Sequence, residues 1–243
     1  MRIVVFSCMF VLVSGLGYSS IVHDYDSLLE RYVKNGRVNY SGLKKNDFQT
    51  LKNLYEGLRS ADPENFLNEQ MEIAFWIDAY NLITLYSAVE AYPVKSVRKR
   101  RFAFFKKKHE VGGEKLSLED IENKILRGRF SDPRIHFAVN CASNSCPILL
   151  SKSYMGPKVD ALLEENAKRF INDPQQVYFD ESKGVLYLSK IFSWYQEDFV
   201  KTAGSLENYL AGYLASDKRS LLKKKSWKIQ YLTYDWGLNE SGS

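Results

Sequence analysis

The segment MEIAFWIDAYNLITLYSAVEAY, residues 71–92, limits the fold of this chain more than any other stretch. It is long enough for about six helical turns, and Pro93 follows it and would stop a helix. A helix that is apolar on nearly every side belongs in a core. Its polar exceptions are Asp78, Asn81 and Thr84, and a buried carboxylate or amide needs hydrogen-bond partners. The sequence therefore predicts a central buried helix that is pinned by polar contacts.

Helices dominate the first half of the chain, and strands mixed with helices dominate the second. Apolar residues at helical spacing predict helices over 24–34, 48–58, 117–127, 157–170 and 205–214, with a short one beginning at Asp62-Pro63. Alternating or β-prone segments predict a strand over 134–140, hairpins over 102–113 and 177–188, and a last strand over 229–233. The predicted fold class is α+β, with the central helix packed on an antiparallel sheet.

The first twenty residues have the layout of a secretory signal. Arg2 precedes an apolar run from Ile3 to Leu16, and the small residues Gly17 and Ser19 follow it. The run is short for a transmembrane helix, which needs about 20 apolar residues. The sequence therefore predicts cleavage near Ser19 and an exported protein, periplasmic or secreted, with a single domain over residues 20–243. A retained membrane anchor is the alternative.

Basic residues exceed acidic ones modestly. Loss of Arg2 with residues 1–19 reduces the 34 basic side chains to 33, against 29 acidic ones, for a net charge of +4. The excess is concentrated in the runs Arg98 to Lys108 and Lys218 to Lys228, which predicts contact with an anionic envelope surface; two solvated basic faces are the alternative. Nucleic acid is not an expected partner of an exported protein. His109 lies among the lysines of the first run and is expected to be exposed.

The stretch DPRIHFAVNCASNSCPILL, residues 132–150, brings together Cys141, Cys146 and His136. One interpretation is nucleophilic catalysis by a thiolate that a histidine activates. A second is a Cys141–Cys146 disulfide, which an oxidising compartment permits. A third is a metal site, for which the sequence shows no fourth ligand. Reduced, purely structural thiols are the fourth. If residues 134–140 form a strand, five extended residues separate His136 from Cys141 by about 16 Å, so only a loop that folds back brings them together.

Six segments resemble the successive motifs of the domain-of-unknown-function family 547. They are FWIDAYN (75–81), YPVKSVR (92–98), SLEDIENKILR (117–127), DPRIHFAVNCASNSCP (132–147), LSKIFSWYQEDF (188–199) and YLTYDWGLN (231–239). The resemblance runs from about Leu28 to the end of the chain. The chain departs from the family pattern at Asn123, where many relatives have histidine.

The resemblance implies a papain-like or transglutaminase-like core and a thiol active site. In such folds a cysteine at a helix start works with a histidine and an acid or amide. Transferred to this chain, Cys141 is the nucleophile, His136 the base and Glu122 the acid that orients it. No cofactor and no metal is implied.

Other polar residues are candidates for lining a pocket or stabilising an oxyanion. They are Asn81, Ser143, Ser145 and Asp235, together with the backbone N–H groups of residues 142–145. Trp194, Tyr195 and Trp236 join Asp235 as an aromatic and acidic set for a peptide or sugar, with core packing as the alternative.

The leading functional prediction is a cysteine hydrolase or acyltransferase that acts on amide or peptide bonds. The alternative is a non-catalytic envelope or secreted binding module in which Cys141 and Cys146 form a disulfide.

Overall fold

The apolar segment forms the long helix Glu69–Ala91, and every residue from Ile73 to Val89 is buried. Asn68 caps the helix, because its side chain accepts a hydrogen bond from the backbone N–H of Met71. The structure is a computed structural model, and it describes residues 11–63, 66–100, 104–155 and 158–241. The prediction of a buried central helix is confirmed.

Helices make up most of the described chain. In chain order they are α1 (Val11–Tyr32), α2 (Tyr40–Asn46), α3 (Phe48–Gly57), α4 (Glu69–Ala91), α5 (Leu118–Asp120), α6 (Val159–Asn172), α7 (Lys190–Trp194), α8 (Gln196–Ala203), α9 (Leu206–Tyr213) and α10 (Ser216–Lys224). A π-helix, Ile121–Phe130, continues α5. Ser117 and Asp120 form the capping box at the start of α5 that their spacing predicts.

The strands are short and form three small sheets. They are β1 (Val33–Lys34), β2 (Arg37–Val38), β3 (His109–Val111), β4 (Glu114–Leu116), β5 (Val177–Asp180), β6 (Val185–Leu188) and β7 (Lys228–Tyr231). The pairs β1–β2, β3–β4 and β5–β6 are antiparallel hairpins, whereas β7 lies parallel to β6. The α+β class is confirmed. The main neighbours of α4 are the helices α2, α3 and α6 and the π-helix, so α4 is surrounded by helices and does not lie on an antiparallel sheet as expected.

The predicted strand over 134–140 is wrong. Residues Pro133–Phe137 form a 3₁₀ helix, with the Asp132 side chain accepting from the backbone N–H of Arg134 and Pro133 in the first turn. An aspartate cap followed by proline is a strong local helix start, and it outweighs the β propensity of the residues that follow. The helical turn shortens the separation between His136 and Cys141 that an extended strand would impose.

The 3₁₀ helix lies where the two hydrophobic clusters of the described chain meet. The first cluster surrounds α4 and includes Ile135, and the second, around α8 and α9, includes Phe137. Helix α6 contributes Val159 and Leu163 to the first cluster and Phe170 to the second. His136 is therefore held between two cores.

His109, which was expected to be exposed, is buried. It lies on β3 with 2% of its surface accessible, and the Tyr55 hydroxyl is 2.9 Å from its Nδ1. The lysines next to it in sequence point outward from the hairpin while His109 packs inward against α3.

Parts of several predictions lie outside the described residues: residues 1–10 of the signal, residues 64–65 after Pro63, residues 101–103 of the first basic run and the predicted hairpin, and Pro157 at the predicted start of α6. Of the helices that the structure describes, none combines the length and apolarity needed to cross a membrane.

Candidate active site

A cavity of about 340 Å³ opens beside the cysteine loop. Its walls come mainly from the start of the π-helix, the 3₁₀ helix and the loop after it, helix α7 and the C-terminal tail, with single residues from α4, from α5 and from the segment before β3. Its described lining residues are Tyr80, Phe105, Glu119, Glu122, Asn123, His136, Val139, Cys141, Cys146, Pro147, Ile191, Trp194, Tyr195, Tyr234 and Trp236. A concave site of this size suits a small ligand or a single side chain of a larger one.

Cys141 holds its sulfur in a triangle of polar atoms at the cavity wall. Its Sγ lies 3.0 Å from Ser143 Oγ and 3.1 Å from the Tyr234 hydroxyl, and Ser143 Oγ donates to that same hydroxyl at 3.0 Å. Burial acts to raise the pKa of the Cys141 thiol, but hydrogen bonds from Cys146, Ser143 and Tyr234 outweigh it and leave this pKa lowered. A lowered pKa favours the reactive thiolate.

Cys146 behaves differently although it lies next to Cys141. Its Sγ accepts a hydrogen bond from the Cys141 backbone N–H at 2.8 Å. Burial raises the pKa of the Cys146 thiol, and the neighbouring Cys141 sulfur raises it further. In this structure both cysteines are free thiols. Of the two, Cys141 has the environment of a nucleophile.

Two buried asparagines fix the start of the cysteine loop. Asn81, on α4, donates from Nδ2 to the Ala138 carbonyl at 3.0 Å, and its Oδ1 accepts from the Asn140 N–H at 2.7 Å. Asn140 in turn donates to the Pro147 carbonyl and accepts from the Ala142 N–H. Asn81 therefore positions the loop from behind, and it is not among the residues that line the cavity.

The C-terminal tail braces the outside of the same loop. The N–H of Asn144 donates to the Gly237 carbonyl at 2.8 Å, the N–H of Ser145 donates to the Asp235 carbonyl at 3.2 Å, and Ser145 Oγ accepts from the Asp235 N–H. The N–H of Gly237 and the Asn144 amide lower the pKa of the Asp235 carboxyl. Ser145 and Asp235 thus hold the loop in place, outside the cavity.

The backbone amides that were expected to form an oxyanion hole are already engaged. Those of Ala142, Asn144 and Ser145 donate to protein oxygens, and that of Ser143 donates to the Cys141 sulfur. An oxyanion at Cys141 would have to use another donor. Two hydroxyls lie at the sulfur, and because that of Ser143 donates to Tyr234, the Tyr234 hydroxyl is the one left to donate.

His136 also lines the cavity and is paired with Asp198 of α8. Its Nε2 is 2.7 Å from Asp198 Oδ2, and Arg127 donates to both carboxylate oxygens of Asp198 at 2.7 and 3.0 Å. These two partners hold the pKa of the Asp198 carboxyl far below its usual range, with the His136 hydrogen bond as the larger cause. The His136 ring stacks on Tyr195 with 3.9 Å between ring centroids. Within the described chain its buried Nδ1 has no hydrogen-bond partner.

Glu122 lines the cavity but does not contact His136. Its Oε1 accepts a hydrogen bond from the Tyr195 hydroxyl, and its Oε2 accepts one from the Tyr80 hydroxyl at 3.3 Å. The expected role of Glu122 as the group that orients His136 is therefore filled by Asp198. The sequence alone could not show this, because Asp198 is 62 residues away from His136.

Aromatic rings form the remaining wall. Trp194, Tyr234 and Trp236 contact one another with ring centroids 4.6 to 5.8 Å apart, and Trp194 is 44% exposed at the rim. Phe105 faces the same space. The expected aromatic set is thus brought together at the cavity.

The structure places the three residues of the predicted catalytic set, Cys141, His136 and Glu122, around one cavity, with no hydrogen bond between any two of them in the described coordinates. Ser143 contacts the sulfur. Sequence analysis missed Asp198 and Tyr234, although both lie in motifs that it singled out. In the described ranges, no group of three His, Cys, Asp or Glu residues is arranged to hold a metal ion.

Comparison with known proteins gives one match. Residues 65–171 match the model of a family described as "Protein of unknown function, DUF547". No curated protein and no solved structure matches the chain. The matched region contains Cys141, His136 and Glu122, while Asp198 and Tyr234 follow it.

Proposed function

We propose that this chain, which carries a DUF547 domain over residues 65–171, is a cysteine hydrolase or acyltransferase that acts on amide or peptide bonds. The observation that carries the proposal is that Cys141 and His136 line the same cavity, while Asp198 holds His136 from behind through its Nε2. A thiol with a lowered pKa, a histidine and an acid that orients the histidine are the parts that thiol acyl transfer requires.

The hydrogen bond to Asp198 decides which nitrogen of His136 is the base. Because the carboxylate accepts from Nε2, the neutral ring carries its proton there and its lone pair on Nδ1. That nitrogen accepts no hydrogen bond within the described structure, so its lone pair is not engaged; because the ring is fully buried, the cavity wall must shift for a donor to reach it. Asp198 also stabilises the imidazolium once the ring has taken up a proton.

The proposed reaction proceeds in two steps. The Cys141 proton passes to His136 Nδ1, the sulfur attacks the substrate carbonyl carbon, and the carbonyl π electrons move to oxygen. The oxyanion collapses, the C–N bond breaks, and His136 returns the proton to the leaving amine. Water or another acceptor then attacks the thioester, His136 takes the acceptor's proton, and the C–S bond breaks to release the acyl group.

Two details of the site bear on these steps. The proton transfer requires the sulfur to leave the Ser143–Tyr234 triangle and approach His136, and catalytic hydrogen bonds are commonly loose until a substrate binds. In the oxyanion step we assign Tyr234 as the donor, since the loop amides are engaged elsewhere.

Alkylation kinetics test the nucleophile without a known substrate. The rate at which iodoacetamide modifies Cys141 should follow an apparent pKa below the free-thiol value of about 8.5. The matched control is Cys146, which we expect to react slowly up to a higher pH because its pKa is raised. A screen of aminomethylcoumarin amides should then show turnover that Cys141→Ala abolishes and Cys146→Ala retains. Turnover that survives Cys141→Ala would contradict the assignment.

The binding-module alternative is favoured by the contact between the two cysteines. It predicts that both resist alkylation until a reductant is added, and that reduction destabilises the protein by about 2 kcal/mol. Export, contact of the two basic runs with an anionic envelope surface and the papain-like character of the core remain predictions. Mass spectrometry of the mature N-terminus tests the first of these.

A further inference from the structure

Glu122 has no task in the proposed acyl transfer, and the charge of Arg127 acts on it only at long range, without an ion pair between them. Both of its oxygens accept hydrogen bonds from tyrosine hydroxyls, Tyr195 and Tyr80, which are neutral donors. Among the described residues, no lysine or arginine forms an ion pair with it. Burial and the nearby Glu122 charge raise the pKa of Tyr195, as expected beside an anion.

The charge of the cavity is opposite to that of the chain. The protein has a formal net charge of +5, yet the charged side chains among the described lining residues are Glu119 and Glu122, with no lysine or arginine. Arg127 passes over the outer face of Tyr195, 5.2 Å from the ring centroid, and directs its guanidinium to Asp198. Lys106 pairs with Glu119 at 3.9 Å, so Glu122 is the acidic lining residue that has no ion pair among the described residues.

The walls around these carboxylates are aromatic. Phe105, Trp194, Tyr234 and Trp236 line the space, and the faces of such rings attract a cation within about 6 Å. A cation that also donates hydrogen bonds would suit both the carboxylate and the rings.

We infer that the cavity recognises a substrate group that carries a primary ammonium, such as a lysine side chain. Glu122 is the anchor that pairs with the ammonium, and the aromatic wall packs against the apolar part of the side chain. A carboxylate offers about four lone-pair sites, and the two tyrosines use two of them, so N–H donors have sites left. This favours an ammonium over a quaternary amine, which has no N–H. The inference rests on the proposed function in treating this ligand as a substrate.

Binding of a matched ligand pair tests the inference. The ligands are Nα-acetyl-lysine N-methylamide and Nα-acetyl-norleucine N-methylamide, which share a four-carbon side chain and differ in the ammonium. Calorimetric titration of the intact wild-type protein should give a Kd for the lysine ligand at least tenfold lower than for the norleucine ligand. Glu122→Gln should remove that preference, because the amide keeps an oxygen for the tyrosines but loses the charge.

Two control variants show whether an effect comes from the Glu122 carboxylate itself, from a loss of charge in general or from unfolding. Glu181 is an exposed glutamate in the β5–β6 turn, and Glu181→Gln removes the same charge without changing the preference. Trp194→Leu, at a half-exposed rim position, should weaken the preference for the lysine ligand without unfolding the protein. Equal binding of the two ligands to wild type, no binding of either in the millimolar range, or an unchanged preference in Glu122→Gln would overturn the inference.

The proposed catalysis is tested separately by the same titration with Cys141→Ala. A lysine preference that persists in this variant supports the inference even if no amide turnover is found. Turnover without a lysine preference would leave the hydrolase proposal standing and refute the anchor.

Discussion

Buried His109 makes the stability of this protein depend on pH below neutrality. The ring is 2% exposed, its Nδ1 faces the Tyr55 hydroxyl, and its Nε2 is buried without a partner in the described chain. Burial lowers the pKa of His109 to about 4, Lys107 lowers it further, and Glu90 opposes them. Protonation would place a positive charge on a His109 ring that water hardly reaches and that has no acidic hydrogen-bond partner among the described residues.

The sign and the size of the effect follow from linkage. In the unfolded chain this histidine has a pKa of about 6.5, so between about pH 6.5 and pH 4 the unfolded state binds more protons than the folded state. The stabilisation is complete above pH 6.5 and is lost as the pH falls toward 4. The difference between the two pKa values limits the contribution of His109 to the free energy of unfolding to about 3 kcal/mol. After allowance for solvent screening we expect about 2 kcal/mol.

Urea unfolding at pH 7 and at pH 4 measures the effect. Carboxylates with lowered pKa values, such as Asp198, also destabilise the protein on acidification, so the test is a difference between variants. Wild type should lose about 2 kcal/mol more free energy of unfolding than His109→Gln over this interval. His23→Gln, which changes a side chain that is 81% exposed, is the control and should behave as wild type. Equal losses in wild type and His109→Gln would refute the reasoning.

Three further substitutions test separate parts of the structure. Asp198→Asn removes the acid that orients the proposed base, so kcat should fall by about 10²- to 10⁴-fold with little change in KM; an unchanged kcat would refute the role. Tyr234→Phe removes a hydrogen bond to the Cys141 thiolate, so the pH profile of iodoacetamide alkylation should move to higher pH; a superimposable profile would contradict the contact. Asp78→Asn turns an amide N–H₂ toward the backbone N–H groups of Tyr154 and its neighbour, so urea unfolding should show a loss of about 2 to 4 kcal/mol, and a loss below 1 kcal/mol would contradict it.

Local signals in the sequence predicted the central helix and part of its polar contacts. The apolar run identified a buried helix, and its buried Asp78 and Asn81 side chains do form hydrogen bonds. The Thr84 hydroxyl is also buried, but it has no hydrogen-bond partner in the described structure. A threonine at such a position satisfies the core mainly through its methyl group, so the rule that held for the carboxylate and the amide was too strict for a hydroxyl.

The errors arose where a distant segment decides the outcome. His109 is buried because Tyr55 of α3 packs against it, and nothing near His109 in sequence indicates that contact. The 3₁₀ helix is a different case, because Asp132 and Pro133 are local signals that the β propensity of the following residues obscured. The papain-like expectation came from resemblance alone and remains a prediction.

The two carboxylates near His136 show why chemical roles could not be assigned from spacing. Glu122 is nearer in sequence and faces the cavity, but two tyrosines fill its hydrogen bonds, and it has no basic partner among the described residues. Asp198 is 62 residues away, yet Arg127 fixes both of its oxygens and directs one at Nε2. An acid that orients a base must itself be held rigidly, whereas an acid that anchors a cationic substrate must keep its charge uncompensated until the substrate arrives. Asp198 meets the first requirement through Arg127, Glu122 with its neutral hydroxyl partners is compatible with the second, and only the fold creates the difference.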